Sequence, residues 1–117
     1  MPYNVCLPRN YSVERQFPMV VFIPDAGANI NEVTTPLFQG NGATIFASKA
    51  EQRKHECIVL APQYTADLVE KLGMMTTDDN VWTPGLQLVS ELIFDATKRF
   101  SVDPERIYGT GQSQGGM

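Results

Sequence analysis

Histidine is nearly missing from this chain, and cysteine, tryptophan and basic residues are scarce. Among 117 residues there are one histidine, two cysteines and one tryptophan. A lone histidine and the lack of any C-x-x-C pair exclude a zinc site of the usual spacing. Nine Lys and Arg face thirteen Asp and Glu, for a net charge of -4. With no basic patch to meet phosphates, a nucleic-acid partner is not expected. No apolar run approaches the roughly 18 residues needed to span a bilayer. No basic start followed by an apolar stretch marks a secretion signal. The compartment stays open: cytoplasmic, or secreted with a leader that lies outside this sequence. Oligomeric state stays open too.

What is present describes an ordinary folded domain. A hydrophobic content of 43% with 19% charge fits a soluble globular protein. The length allows one domain at most, with a modest core. Residues 3–7 alternate and read as a first strand, closed by Pro8. Residues 14–17 form a polar connector. Met19-Val20-Val21-Phe22-Ile23 and Cys57-Ile58-Val59-Leu60-Ala61 are continuous apolar runs, which suit parallel strands buried on both faces. Cys6 and Cys57 each fall in an expected strand and read as buried free thiols; a disulfide would require those strands to be neighbours. Pro24-Asp25-Ala26-Gly27-Ala28-Asn29 breaks the first run sharply.

Residues 31–42 show no firm period and read as loop. Ser48 and Glu51 have the spacing of a capping box, which predicts a short helix over 49–54. Ala43, Phe46, Ala47 and Ala50 fit one helical face, so a longer helix is the rival. Residues 67–72 could form a helical turn within an ambiguous stretch. The clearest element follows. Thr83 is a good N-cap and Pro84 suits the first helical position. Leu86, Val89, Ile93, Ala96 and Phe100 then recur at helical spacing. Phe94 lies off that stripe and points to a second contact surface. Asp103-Pro104-Glu105-Arg106 reads as a turn into a last short strand, 106–110. Strands alternating with helices argue for a mostly parallel sheet with flanking helices.

The chemistry concentrates in Gly111-Gln112-Ser113-Gln114-Gly115, which is G-x-S-x-G after a strand. A serine hydroxyl needs a base before it becomes a useful nucleophile, and it must stand clear of the sheet. A sharp strand-to-helix turn raises it, at a cost in backbone strain. Side chains at Gly111 and Gly115 would crowd that turn. The N–H of the following residue, Gln114, is the expected oxyanion donor; such donors are worth roughly 3–4 kcal/mol each. The second donor should come from the loop after residues 19–23, with Ala26 the first candidate and Asp25 the second. The rival reading of that loop is a plain tight turn. His55 sits upstream of Ser113 in a charged run and reads as a solvated surface residue rather than the base. Asp25, Asp79 and Asp103 are poor candidates for a triad acid. Trp82 fits a substrate cleft or ordinary packing equally.

Taken with Tyr3-Asn4-Val5-Cys6-Leu7-Pro8, Phe17-Pro18-Met19-Val20-Val21-Phe22-Ile23-Pro24-Asp25-Ala26-Gly27 and Val59-Leu60-Ala61-Pro62-Gln63-Tyr64, these motifs resemble the predicted-peptidase and esterase branch of the α/β-hydrolase superfamily. Relatives of that branch include phospholipase/carboxylesterases, feruloyl and polyhydroxybutyrate-type esterases, and the catalytic domain of prolyl oligopeptidases. The resemblance spans nearly all of residues 1–117. It implies the N-terminal half of an α/β-hydrolase three-layer sandwich, stopping within the nucleophile elbow. It further implies a Ser-Asp-His mechanism with Ser113 as nucleophile, acting on a small-molecule ester or short peptide with no cofactor or metal. One departure is that many relatives carry His-Gly where this chain has Pro24-Asp25. In the family the acid and histidine lie beyond residue 117, so these residues alone should be inactive or nearly so. A carboxylesterase is the expected whole enzyme. The alternatives are a prolyl-oligopeptidase-like serine peptidase and a non-catalytic interaction module.

Overall fold

The computed structural model describes residues 1–25 and 32–117. Four strands form one sheet: β1 (Tyr3–Cys6), β2 (Phe17–Ile23), β3 (Ile58–Pro62) and β4 (Val102–Gly111). Their spatial order is β1-β3-β2-β4, with β1 antiparallel to β3 and the other pairs parallel. Helices α1 (Thr35–Phe38), α2 (Gly42–Ala47) and α3 (Lys49–Lys54) connect β2 to β3, and α4 (Ala66–Leu72) and α5 (Pro84–Arg99) connect β3 to β4.

Strand alternation sorts the apolar residues into two layers. Phe17, Met19 and Val21 of β2, with Ile58 and Leu60 of β3, pack on Ala96 and Ile93 of α5. Phe22, Val59, Ala61 and Cys57 turn the other way, onto Ala43, Phe46 and Ala47 of α2. The result is an α/β arrangement of three layers, helix on sheet on helix. Continuous apolar runs in β2 and β3 follow from this cover on both faces. Strand β2 starts at Phe17, two residues before the apolar run suggests, because Phe17 is fully buried and stacks on Tyr11 with ring centroids 5.7 Å apart.

Helix ends follow their caps. Thr83 accepts from the Leu86 N–H at 3.0 Å and also donates to the Met75 carbonyl, tying α5 to the preceding loop. Ser48 accepts from the Glu51 N–H at 3.3 Å and, with ψ 149, separates α2 from α3. The short helix forms as expected, and the rival longer helix does not, because Ser48 breaks it into α2 and α3. Residues 32–42 are not simple loop. They contain α1 and a 3₁₀ turn, Gln39–Asn41. Four helical residues are too few to show a period, and Gly40 at φ 56 interrupts them.

The turn at 103–106 lies inside the bounds of β4 as a bulge. Phe17 pairs with Val102 and Met19 with Ile107, so three extra residues loop out. Asp103 holds that loop by accepting from the Glu105 N–H at 3.0 Å and from Arg106 Nε at 2.7 Å. The Arg106 guanidinium accordingly holds the Asp103 carboxyl below its ordinary pKa. Strands β1 and β3 are neighbours, yet Cys6 lies opposite Val59, not Cys57. That diagonal spacing, about 7–8 Å, exceeds disulfide reach, and both thiols are free. Cys57 is buried while Cys6 is only partly so. Phe94 is exposed, with the Lys98 ammonium 4.0 Å over its ring.

Candidate functional site

Parallel pairing of β2 with β4 brings their carboxyl ends together, Ile23 opposite Gly111. The Gln112 N–H continues the ladder by one more bond, to the Ile23 carbonyl at 3.2 Å. The chain leaving β2 therefore runs beside the chain entering Ser113. Crevices outside the carboxyl ends of parallel strands are where such sheets bind ligands.

The glycines of G-x-S-x-G are fixed by contact. A Cβ on Gly115 would run into the Ile23 carbonyl oxygen and lie 2.7 Å from that of Pro24. A Cβ on Gly111 would collide with the Gly115 carbonyl and lie 2.8 Å from the Ile23 oxygen. Both obstacles are backbone and cannot rotate away. Between the glycines Ser113 is exposed and sits at φ 52, in the left-handed region that residues bearing a Cβ avoid. A 3₁₀ turn, Ser113–Gly116, follows directly. The Gly115 N–H bonds to the Gln112 carbonyl at 2.9 Å across this corner. Among the described residues nothing hydrogen-bonds to the Ser113 hydroxyl.

Two neighbouring segments support the corner. Thr76 donates to the Gln114 carbonyl at 3.5 Å, and the Gln114 side-chain amide returns a bond to the Thr76 carbonyl at 3.4 Å. On the other side, the Asp25 N–H donates to Gln39 Oε1 at 2.8 Å. The Asp25 amide, the second candidate for oxyanion donor, thus has a protein acceptor in Gln39. Ala26, the first candidate, lies outside the described residues.

The remaining chemical candidates are elsewhere. His55 precedes β3, at the amino end of the parallel strands, whereas Ser113 follows the carboxyl end of β4. Its ring is exposed and lies 3.6 Å from the Glu51 carboxylate. Asp103 is likewise at the amino end of β4, and Asp79 is exposed. Trp82 is 61% exposed and donates to Gln87 Oε1 at 2.8 Å, so it belongs to neither a closed cleft nor the core. Below the carboxyl ends of the strands, Ile23, Pro24, Pro62, Tyr64, Met75 and Val89 enclose a void of only about 10 Å³. Buried Tyr64 donates to the Gly73 carbonyl at 2.9 Å, and burial raises its phenol pKa. Among the described residues no three His, Cys, Asp or Glu side chains gather as a metal-holding group.

Gln39, Gly40 and Thr76 are the neighbours that sequence reasoning missed. Only Gly40 carried a signal, as a glycine ahead of Asn41 and Gly42. Thr76 is one of several polar residues in a stretch without a period, and nothing local marks it.

No family model matches this chain, and no curated protein matches it. Among solved structures it is similar to the crystal structure of a thermostable esterase, with 27% identical residues and a TM-score of 0.82. The match covers 97% of this chain and 30% of the esterase chain, so residues 1–117 span under a third of that protein. The three-layer α/β arrangement with its mostly parallel sheet is therefore esterase-like in fold, and matches one part of an esterase.

Proposed function

We propose that Ser113 is the nucleophile of a serine hydrolase that cleaves carboxylic esters, and that residues 1–117 form the portion of an α/β-hydrolase domain that presents it. The observation that carries this reading is Ser113 at φ 52 between two glycines whose positions admit no Cβ. Such strain persists where surrounding structure enforces it, and it concentrates at functional sites.

In this reading Ser113 Oγ attacks the ester carbonyl carbon while a histidine takes its proton. The oxyanion of the tetrahedral intermediate accepts from the amides of Gln114 and Ala26. Gln114 is the second residue of the 3₁₀ turn, where the first amides lack partners within the turn. The alcohol leaves with the proton returned by the histidine, and water then releases the acid from the acyl-serine. His55 is at the wrong end of the sheet for that base, so this reading takes the acid and histidine from outside residues 1–117, which span 30% of the esterase chain. The likeness to a thermostable esterase favours an ester over a peptide substrate.

The test is p-nitrophenyl butyrate hydrolysis by residues 1–117 and by any longer reading frame that contains them. The longer protein should show an acyl-enzyme burst, and Ser113→Ala should lower kcat by about a thousandfold or more. Residues 1–117 alone should be close to the uncatalysed rate. A longer protein whose ester turnover is unchanged by Ser113→Ala would overturn the proposal. Faster turnover of a matched peptide amide than of the ester would move it to the peptidase class.

A further inference from the structure

The segment leaving β2 and the segment entering Ser113 are far apart in sequence, yet one corner touches both. Gln39 Oε1 accepts from the Asp25 N–H at 2.8 Å, on the segment leaving β2. Gly40, the next residue, receives the Gln112 side chain so closely that a Cβ there would collide with its Oε1. Gln112 immediately precedes Ser113, and its own N–H is anchored to Ile23 at 3.2 Å. The corner is a short 3₁₀ turn interrupted by left-handed backbone, with Gly40 at φ 56 and Asn41 at φ 54.

We propose that the Gln39–Gly40 corner is a positioning element that sets the separation between Asp25, at the end of β2, and the Gln112–Ser113 segment. Gln39 acts through a backbone amide and touches no substrate. The side-chain carbonyl holds the Asp25 N–H and so ties the end of β2 to the corner. Gly40 meets the other segment through the Gln112 side chain, and its φ of 56 is one that a residue with a Cβ adopts only under strain. This inference rests on the nucleophile reading for its functional meaning, but the mechanical coupling can be measured without turnover.

The experiment is amide hydrogen exchange and ¹⁵N NMR on the 117-residue chain, comparing wild type with Gln39→Ala, Gln39→Glu and Gly40→Ala at pH 7. Gln39→Ala should speed exchange of the Asp25 amide about tenfold, the loss expected for one hydrogen bond. It should also shift the Gln112 and Ser113 amide resonances. Gln39→Glu keeps an acceptor and should restore Asp25 protection, a rescue that lost packing alone would not give. Gly40→Ala should shift Gln112 and Asp25 together. If Asp25 exchange is unchanged in Gln39→Ala, or if Gln112 and Ser113 keep their wild-type shifts in both Gln39→Ala and Gly40→Ala, the coupling is refuted. A longer protein indifferent to Ser113→Ala would instead refute the nucleophile and leave the coupling result standing.

Discussion

Replacing Gly115 by alanine tests the close approach at the serine corner most directly. The added methyl meets backbone on two sides, inside the Ile23 carbonyl and 2.7 Å from the Pro24 carbonyl oxygen. Real Cβ atoms do not come that near, so β2 or the corner must move. Overpacking of this kind costs about 1–3 kcal/mol, and rigid backbone obstacles put Gly115→Ala at the upper end. Gly116→Ala is the matched control. Its Cβ would lie 3.4 Å from the Gly111 carbonyl oxygen, a snug contact that small shifts relieve. Reduced freedom of the unfolded chain then favours alanine by about 0.4–1 kcal/mol. The two variants should differ by about 3 kcal/mol, which is ~10 °C or more in Tm for a domain near this size. Far-UV circular dichroism during urea and thermal unfolding is the suitable assay, since Trp82 is 61% exposed and reports poorly on the core. Equal stability of the two variants would refute the claim that β2 and the serine corner touch through Gly115.

Three further outcomes are expected. Thr83→Ala removes both the cap on Leu86 and the bond to the Met75 carbonyl, and should lower stability by about 1–2 kcal/mol in urea titrations. Iodoacetamide at pH 8 should modify Cys6 well before Cys57, because burial excludes the reagent and pushes the Cys57 thiol up; peptide mass mapping reads the order. Asp103 has a lowered pKa from its bonds to Arg106 and the Glu105 amide. Its contribution should therefore be complete above the unfolded value near pH 4 and fade as pH falls through the folded value. The stability gap between wild type and Asp103→Asn should close below that point in acid titrations.

The sequence exposed those features that depend on composition along one segment. Runs at 19–23 and 57–61 revealed buried strands because each is covered on both faces, and the α5 stripe was plain because sixteen residues give it several turns. The G-x-S-x-G corner was readable because its spacing lies within one segment, although the Ile23 and Pro24 carbonyls that close in on Gly115 come from β2 and the residue after it. Features made by distant segments were not readable. The Asp25 amide looked available until Gln39, fourteen residues away, was seen to hold it. Thr76 reaches Gln114 across 38 residues of chain. Likewise, adjacency of β1 and β3 left the two cysteines unbridged, since register rather than adjacency decides that pairing.

Strain at Ser113 gives the sharpest separation between folding and chemistry. A residue with a Cβ at φ 52 carries roughly 1–2 kcal/mol that glycine does not. Ser113→Gly should relieve most of that strain, offset in part by the greater freedom of glycine in the unfolded chain, about 0.5–1 kcal/mol. Ser113→Ala keeps the Cβ and the strain while deleting the hydroxyl, which has no partner to lose among the described residues. Stability should then rank Ser113→Gly above both Ser113→Ala and wild type by about 0.5–1 kcal/mol, with the last two nearly equal. Urea midpoints at constant m-value measure this ordering. Were Ser113→Gly the least stable of the three, the serine would be contributing bonds or packing to the fold, and its backbone could not be counted as strain kept for chemistry. If the ranking holds, the Cβ at this corner costs the fold stability and the hydroxyl returns none, which is the pattern expected of a residue retained for reaction.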